Sequence, residues 1–583
     1  MKRNLLFMSV LASLLMAGCS QEEIVPNGEN EGNGEANTSY MAVNLVSSDV
    51  TGTRAATGYR DGTTRENKVE KVRFYFFNGS GGVVNVKLLN GSYVNYYDWT
   101  PVSGDQSDGT NDDDDIESKL KVIIVINTAK GDEIPQRIAA VLNPPTIDGT
   151  FLLGNTSMNL STLKDKVADF ATTGDNGLTS EGKFVMFNSV GGEGKEFSTT
   201  LIESKNLCKK EDDAIKNPVT IYVERSVAKV KVLLDNTAIG IADGKLKLKD
   251  KNGKDLKIKT NNNDGNTEEE QVYLQIGGWS LTAETTNGRL IKKVNSKWDA
   301  WSDENWYTAY RSFWAINSNT AVNKYCKYSE IGTSVGDSDD NALYTNENAQ
   351  RTDINSVALP AKKATKVILK GTLCKSDGTP LTIVRHLGVH FVDNENLTGL
   401  KKSILNQLSS GGHNYYFRKT DGSGKEQIGV EDLQIVIVSQ EENEDSKNNC
   451  YVCAELTSTA ASKEWYTSMD ASAIPLEKGA EVINNILKGK DDTGKYYIDR
   501  ALVWKTGMTY YYYPIKHLNN ENAVVRNHIY ETTVKKIAGL GTPVYDPDQV
   551  IYPEKPEEND HYIAAQINIL SWRLVQNDYN LEW

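Results

Sequence analysis

Apolar and polar residues alternate along much of the chain, a period of two that predicts strands with one buried face. The first such stretch, residues 39–47, puts Met41, Val43 and Leu45 on one face. The same alternation returns near the C-terminus at Ile563, Ala565, Ile567 and Ile569. The chain therefore has a core-type strand close to each end, and each of these strands needs a sheet edge to receive it.

Between them, the hydrophobic pattern predicts further strands. The strongest cover residues 69–77 and 219–234, and the unbroken β-branched run at residues 121–127 predicts a strand buried on both faces. Helical periodicity is scarce. It predicts one helix over residues 160–170, with Ser161 or Thr162 near its N-cap, and a short helix over residues 397–408.

Composition supports a β-rich, multidomain protein. The 583 residues are 39% hydrophobic and 9% aromatic, and they include 28 tyrosines. A chain of this length is too long for one core, so two to four domains are expected. The net charge of −14 argues against nucleic acid as a partner, because binding to phosphates needs a basic surface.

The N-terminus resembles a bacterial lipoprotein signal. Lys2 and Arg3 precede an apolar stretch that is too short to span a bilayer, and small residues lead into Cys19. A cysteine in this context is lipidated and becomes the first mature residue. The alternative is an ordinary signal peptide with a cysteine at the cleavage point by coincidence. The acidic, Gly-rich residues 21–38 predict a tether.

Candidate chemistry is sparse, and we predict no catalytic residue, cofactor or metal site. Cys450 and Cys453 have redox or zinc spacing but no second pair. His386 and His390 lack the glutamate and the helix of a zinc motif. The motifs of nucleotide binding and of serine hydrolases are absent. Because the paired carboxylates of a glycosidase leave no local signature, the sequence argues against an enzyme without excluding one.

One aromatic cluster favours an alternative function. Trp298, Trp301, Trp306 and Trp314 lie close together with Tyr307 and Tyr310 in a polar stretch. Such a cluster is typical either of a loop packed on a sandwich or of a platform that stacks sugars. The second interpretation predicts a surface glycan-binding lipoprotein that keeps its N-terminus after Cys19.

A resemblance covers nearly the full length and favours a different function. It rests on the lipoprotein leader, on the loop after the first strand (residues 50–65), which contains three arginines and which we call the arginine loop, and on Val223-Glu-Arg-Ser-Val-Ala-Lys-Val. Val525-Arg-Asn-His-Ile-Tyr530 and the terminal strand, tethered by the Pro-rich, acidic residues 545–560, follow in the same order. The chain resembles the fimbrillins of the Bacteroidales, and among them the shaft subunit of the minor fimbriae, a type V pilus.

The resemblance implies an all-β fold with a few short helices. It consists of two tandem transthyretin-like β-sandwich domains and a C-terminal donor strand. It also implies export as an outer-membrane lipoprotein and cleavage after an arginine by a trypsin-like, Arg-specific protease. The expected segments are a signal peptide (1–18), a tether with the removable first strand (19–54), an N-terminal sandwich (55–237), a C-terminal sandwich (238–544), and a linker with the donor strand (545–583).

Carried onto this sequence, the resemblance implies lipidation of Cys19 and cleavage after Arg54, with Arg60 and Arg65 as alternatives. Cleavage would free a groove for a neighbour's tail. The two strands match in pattern, since Val43-Asn-Leu-Val46 and Ile567-Asn-Ile-Leu570 are both apolar, Asn, apolar, apolar. Trp572 and Leu574 are expected to extend the donor.

The expected function is that of a structural fimbrial subunit at the cell surface. It would support adhesion, co-aggregation and biofilm formation as a homopolymer with accessory tip and anchor subunits. A tip adhesin is expected to lack a donor, so the presence of one favours the shaft.

Overall fold

The structure of the protein is a computed structural model. It describes residues 37–48, 62–102, 106–108, 116–128, 132–147, 150–169, 184–189, 198–250, 252–261, 267–293, 315–318, 323–350, 359–438, 450–517, 521–553, 562–570 and 575–577. Within these ranges the protein is β-rich with a few short helices, which confirms the predicted fold class.

The first part of the chain builds one large sheet. Its region contains β1 (Asn37–Ser48), β2 (Val72–Phe77), β3 (Val86–Leu88), β4 (Tyr93–Val94), β5 (Tyr96–Trp99), β6 (Gln106–Asp108), β7 (Ile116–Thr128), β8 (Arg137–Leu142), β9 (Thr146–Ile147), β10 (Thr150–Phe151), β11 (Val167–Asp169), β12 (Met186–Asn188), β13 (Thr200–Leu201) and β14 (Val219–Arg225). Among the described strands the order is β4-β3-β7-β1-β14-β12-β8-β2-β5, with β6 beside β7 and β13 beside β8. The first strand therefore lies in the interior of the sheet.

The second part begins directly after β14. It contains β15 (Ala228–Leu234), β16 (Ile241–Ala242), β17 (Lys245–Lys247), β18 (Lys257–Asn261), β19 (Thr267–Gln271), β20 (Tyr273–Thr282), β21 (Glu284–Thr285), β22 (Asn287–Arg289), β23 (Asn323–Lys324), β24 (Leu343–Thr345), β25 (Lys366–Cys374), β26 (Thr382–His386), β27 (Val389–Asp393), β28 (Tyr416–Arg418), β29 (Lys425–Gln427), β30 (Leu433–Ile437), β31 (Tyr451–Leu456), β32 (Trp465–Tyr466), β33 (Ala501–Trp504), β34 (Met508–Pro514), β35 (Ile529–Ala538), β36 (Thr542–Pro543), β37 (Tyr562–Leu570) and β38 (Val575–Asn577).

Three sheets dominate this second part. Their orders are β24-β15-β35-β37-β38, β16-β17-β20-β25-β34-β36 and β19-β18-β27-β26-β33-β31-β30. Neighbouring residues on one strand of the last sheet face different cores. Ile383 packs in the core that includes β15, β25 and β35, whereas Val384 packs under the two longest helices. Both faces of this sheet are therefore buried.

The helices are short. They are α1 (Thr64–Asn67), α2 (Leu160–Lys164), α3 (Glu211–Lys216), α4 (Asn236–Ile239), α5 (Thr398–Ser410), α6 (Ser458–Ala461) and α7 (Gly479–Lys488), with 3-10 turns at Ser204–Asn206, Tyr328–Glu330, Asp339–Asn341, Val430–Asp432 and Lys505–Gly507. The helix predicted at residues 397–408 is confirmed by α5.

Two predictions were wrong in detail. The helix expected over residues 160–170 ends at Lys164 and is capped by Asn159, because Val167–Asp169 pairs with β22 as a strand. The strand at residues 121–127 is not buried on both faces. Val122, Ile124 and Ile126 are buried, whereas the alternate side chains are exposed or half-buried, since only one face of this strand meets the core.

Candidate functional site

The first strand is held by neighbours on both sides. Over its length β1 pairs antiparallel with β7, from Asn37 opposite Thr128 to Ser48 opposite Ile116. Its other edge pairs parallel with β14, from Val43 opposite Val219 to Ser47 opposite Val223. Removal of β1 would leave a groove between two strand edges whose N–H and C=O groups lack partners, a template for another extended segment. We call this the β1 groove.

Side chains of β1 fill the core beneath the groove. Met41 and Val43 are 0% exposed and Leu45 is 1% exposed, which confirms the predicted buried face. Leu45 lies between Leu120 of β7 and Ile221 of β14, both of them buried. Each side chain of this size stabilises the fold by about 1.5–3 kcal/mol on burial. β1 is therefore a structural part of the N-terminal core.

A further pair of backbone hydrogen bonds holds the start of β1. The Tyr40 N–H donates to the Cys208 carbonyl oxygen at 2.7 Å, and the Cys208 N–H donates to the Tyr40 carbonyl oxygen at 2.9 Å. Cys208 lies between a 3-10 turn and α3. The strand is thus fixed at its start as well as along both edges.

Of the predicted processing residues, only Arg65 is described. It is exposed on α1, and the next residue, Glu66, is completely buried. Cys19, Arg54 and Arg60 lie outside the described residues. The structure therefore brings one candidate arginine next to a buried carboxylate, at the start of the N-terminal sheet.

The C-terminal strand pairs within its own molecule. β37 lies antiparallel to β35, with Ile567 opposite Thr532 and Ile569 opposite Tyr530, and β38 pairs with its other edge. The alternating positions of Ile563 and Ala565 fall in the same strand. Trp572 and Leu574 lie outside the described residues. In this structure the edge that receives the tail is β35 of the same chain.

The stretch before the tail is only partly a spacer. Tyr545 donates its hydroxyl proton to the Ile435 carbonyl oxygen at 3.1 Å, and the Ile551 N–H donates to the Cys326 carbonyl oxygen at 2.8 Å. Ile551 is 0% exposed and packs beside Tyr328. Residues 545–553 are thus part of the fold, because apolar residues between the prolines reach the core. A link free of such contacts can begin only after Pro553.

The histidines and cysteines singled out in the sequence take structural positions. His386 is buried on β26, with Nδ1 at 2.8 Å from Ser403 Oγ and Nε2 at 3.2 Å from the Asp499 carbonyl oxygen. Cys450 and Cys453 are buried, Cys450 directly before β31 and Cys453 within it. Among the described residues, no group of His, Cys, Asp and Glu is arranged to hold a metal ion.

The structure does not test the aromatic cluster. The residues from Trp298 to Trp314 lie outside the described residues. No helix in the described ranges is long and apolar enough to cross a membrane.

Sequence reasoning missed a buried ionic junction between the two parts of the chain. The Arg526 guanidinium contacts Glu347 at 2.7 Å, and Lys292 Nζ contacts Glu224 at 3.0 Å, with all four residues at most 4% exposed. The junction lies where β14 passes into β15. The signal was present as charged residues within the apolar run 219–234, since buried charges require partners.

Comparison with known proteins places the C-terminal region in a family. Residues 503–578 match Fimbrillin_C, described as the C-terminal region of the major fimbrial subunit protein type IV, fimbrillin. The match includes β37, which is the tail, and β35, which pairs with it. It also includes β34, which precedes β35 in the chain. No curated protein matches the amino-acid sequence significantly.

Solved structures show limited likeness. A candidate cell adhesion protein from Bacteroides eggerthii DSM 20697 has a TM-score of 0.34 at 10% identity, covering 95% of this chain and 98% of its own. The fimbrilin of Porphyromonas gingivalis W83 has a TM-score of 0.31 at 11% identity, and the comparison covers 91% of this chain and 97% of that one. The tip fimbrial protein Mfa3 of Porphyromonas gingivalis, with a C-terminal truncation, has a TM-score of 0.26 at 10% identity. That comparison covers 91% of this chain and 99% of the other. The comparisons thus show that residues 503–578 of this chain match the C-terminal region of the fimbrillins.

Proposed function

We propose that this protein is a structural subunit of a surface fimbrium, assembled head to tail by donor-strand exchange. The family match supports a fimbrial, non-catalytic role. The observation that carries the assembly mechanism is the position of β1, an interior strand close to one end of the chain. Its loss would leave an extended groove and three empty core positions.

The tail of a neighbouring subunit has the pattern to fill this groove. Aligned on the shared Asn, Ile567 takes the position of Val43 and Ile569 that of Leu45. Ile569 would then lie between Leu120 and Ile221, where a branched apolar side chain is already accommodated. The exchange thus replaces one apolar strand by another of similar volume, which a packed core tolerates.

The tail also has to leave β35, with which it pairs in the single chain. Residues 554–561, eight positions, join the packed Pro553 to β37 and span at most about 28 Å when fully extended. When the tail leaves β35, nine residue pairs between β35 and β37 are broken. Because the paired tail is not available to a neighbour, this arrangement limits premature polymerisation.

Proteolysis after Arg54 makes the exchange possible. While β1 is covalently attached, its high effective concentration favours it over any free strand. Cleavage of the arginine loop by a trypsin-like, Arg-specific protease removes that advantage and allows β1 to be lost. Until then, lipidated Cys19 holds the precursor on the outer membrane. Head-to-tail insertion does not close on itself, so it propagates a filament with tip and anchor subunits at its ends.

The test of processing is an Arg54→Ala variant, together with a second variant in which Arg60 and Arg65 are also changed. We expect surface lipoprotein that does not polymerise, measured as loss of high-mass ladders and of fimbriae by electron microscopy. Replacement of exposed Arg418 on β28, which lies away from the loop, serves as the matched control. Normal fimbriae from the triple variant would refute processing after these arginines.

The test of the donor is deletion of residues 561–583. We expect a folded subunit that is processed but cannot elongate, because the groove of the next subunit stays unfilled. N-terminal sequencing of surface material adds an independent readout, since a start at Ala55 supports the pilin. A blocked Cys19 would favour a surface glycan binder instead. Polymers of wild-type length from the truncated chain would show that another segment is the donor.

A further inference from the structure

The short turn α1 joins the arginine loop to the N-terminal sheet, and it is unusually well fixed for a four-residue element. Its N-cap, Thr63, and its third residue, Glu66, form a reciprocal capping box. The Glu66 N–H donates to Thr63 Oγ1 at 3.3 Å, and the Thr63 N–H donates to Glu66 Oε2 at 2.6 Å. These bonds satisfy amide groups that the start of a helix leaves without partners.

Glu66 is the centre of a buried network that crosses between the two parts of the chain. Its side chain is 0% exposed, and Oε1 lies 2.9 Å from Lys229 Nζ on β15. The Tyr344 hydroxyl donates to the same oxygen at 2.6 Å, and Arg225 Nε donates to the Glu66 carbonyl oxygen at 3.2 Å. Charge-assisted hydrogen bonds in a buried site are among the stronger polar interactions. We call residues 63–67 with these partners the Glu66 clamp.

The clamp also forms part of the β1 groove. A small cavity is lined by Leu45, by Asn67 and Val69, and by residues of the strands around β1, including Leu120 of β7 and Val223 of β14. Arg225, one of the partners in the clamp, is the last residue of β14 and lies two positions beyond Val223, where the pairing of β14 with β1 ends. The turn is therefore a wall at the end of β1 where Leu45 packs, and a strand inserted in place of β1 would meet the same wall.

We propose that the Glu66 clamp sets the downstream limit of processing, so that the Arg65–Glu66 bond is not cut and the mature chain begins upstream of Thr63. This inference rests on the proposed function. Proteases cleave exposed segments that can adopt an extended conformation. Arg65 is exposed, but the residue on the other side of its scissile bond is buried, and the backbone is helical. Cutting there requires the clamp to open first.

The proposal also explains why the limit matters for assembly. Loss of the residues up to Arg65 would remove the Thr63 cap and place a new charged amine on Glu66, inside the network that holds Lys229 and Arg225. Asn67 and Val69 would then be released from the wall of the groove. Processing upstream of Thr63 removes β1 and keeps the wall, so the acceptor site for the incoming strand stays shaped.

The experiment is limited trypsin digestion of the purified full-length precursor, with new N-termini identified by mass spectrometry over time. A synthetic peptide of residues 58–72 gives the intrinsic rate of cleavage at Arg65. We expect this bond to be cut at least about 100-fold more slowly in the precursor than in the peptide, the factor for opening two charge-assisted hydrogen bonds. Equal rates in precursor and peptide would overturn the proposal.

Variants test the cause of protection. Glu66→Ala removes the buried carboxylate. We expect the bond after Arg65 to be cut in this variant at a rate near that of the peptide, giving products that begin at position 66. Glu70→Ala, which removes a partly exposed carboxylate paired with exposed Lys68, is the matched control and should leave Arg65 protected. Tyr344→Phe removes a single hydrogen bond to Glu66, and we expect an intermediate rate of cleavage after Arg65. This milder variant keeps the test informative if Glu66→Ala does not fold. An unchanged rate in folded Glu66→Ala or in Tyr344→Phe would overturn the role of the clamp.

The outcomes separate the two proposals. Surface material that begins at Glu66 and still polymerises would refute the clamp as a limit and leave donor-strand exchange standing. Surface material that begins upstream of Thr63 would support the clamp. If such material also polymerised without loss of β1 or without the tail, donor-strand exchange would be refuted and the clamp would stand.

Discussion

Replacing Leu45 by Ala distinguishes a removable strand from a permanent one. If β1 leaves the molecule on processing, Leu45 belongs to the precursor and is absent from the assembled fimbrium. The variant should therefore weaken the precursor and leave the assembled polymer as stable as wild type. If β1 stays, both forms should be weakened equally.

The magnitude follows from the packing of this side chain. Leu45 is 1% exposed and lies between Leu120 and Ile221, so truncation to Ala enlarges the adjoining cavity. Buried Leu→Ala changes cost about 2–5 kcal/mol, and a rigid sheet on both sides favours a value of about 3 kcal/mol. Such a cost corresponds to roughly a 100-fold change in an equilibrium constant.

Hydrogen exchange is the assay, because it reads the opening free energy locally and does not require the whole chain to unfold in one step. Amides of β7 and β14 that bond to β1 should lose about 100-fold of protection in the variant precursor and none in the polymer. Leu89→Ala, the same substitution at a side chain that is 73% exposed, is the control. Equal loss of protection in precursor and polymer would refute the displacement of β1.

Three further predictions concern the fold around the proposed site. Burial raises the pKa of the Cys326 thiol to about 11, so at about pH 8 iodoacetamide should label it only after unfolding, as measured by mass spectrometry; prompt labelling of the native chain would contradict this. Gly541→Ala should destabilise the C-terminal part by more than about 1 kcal/mol in urea unfolding, because φ is +70° and the new Cβ would lie 2.4 Å from Thr509 Oγ1. Gly422→Ala, at φ +72° with open space around it, should cost less; equal costs would contradict the steric reason. Burial acts to raise the pKa of the Glu66 carboxyl, but Lys229 and Arg225 outweigh burial and hold the pKa below its usual value. The ionised carboxylate therefore stabilises the fold at a pH above the usual pKa, and this stabilisation is lost as the pH falls through the lowered pKa. The stability gap between wild type and Glu66→Gln should thus narrow in acid, and a gap independent of pH would refute the ionic role.

Local pattern determined the strand content and the identity of the two terminal strands. Met41, Val43 and Leu45 were predictable as one buried face because side chains alternate along any strand, whatever its partners. The helix at residues 397–408 was predictable for the same reason, since its period is local. The helix over residues 160–170 was not, because pairing of Val167–Asp169 with β22 is a contact between distant segments.

The Glu66 clamp and the partner of the tail were decided by tertiary structure. Glu66 reads in the sequence as one more charge in an arginine-rich loop, and only the approach of Lys229, Arg225 and Tyr344 makes it a buried centre. An alternating apolar strand specifies that it needs an edge and a core but not which edge, because backbone hydrogen bonding is the same on every strand. The sequence by itself thus predicted an alternating strand near each end of the chain, and the fold decided that β1 lies inside a sheet and that β37 pairs with β35.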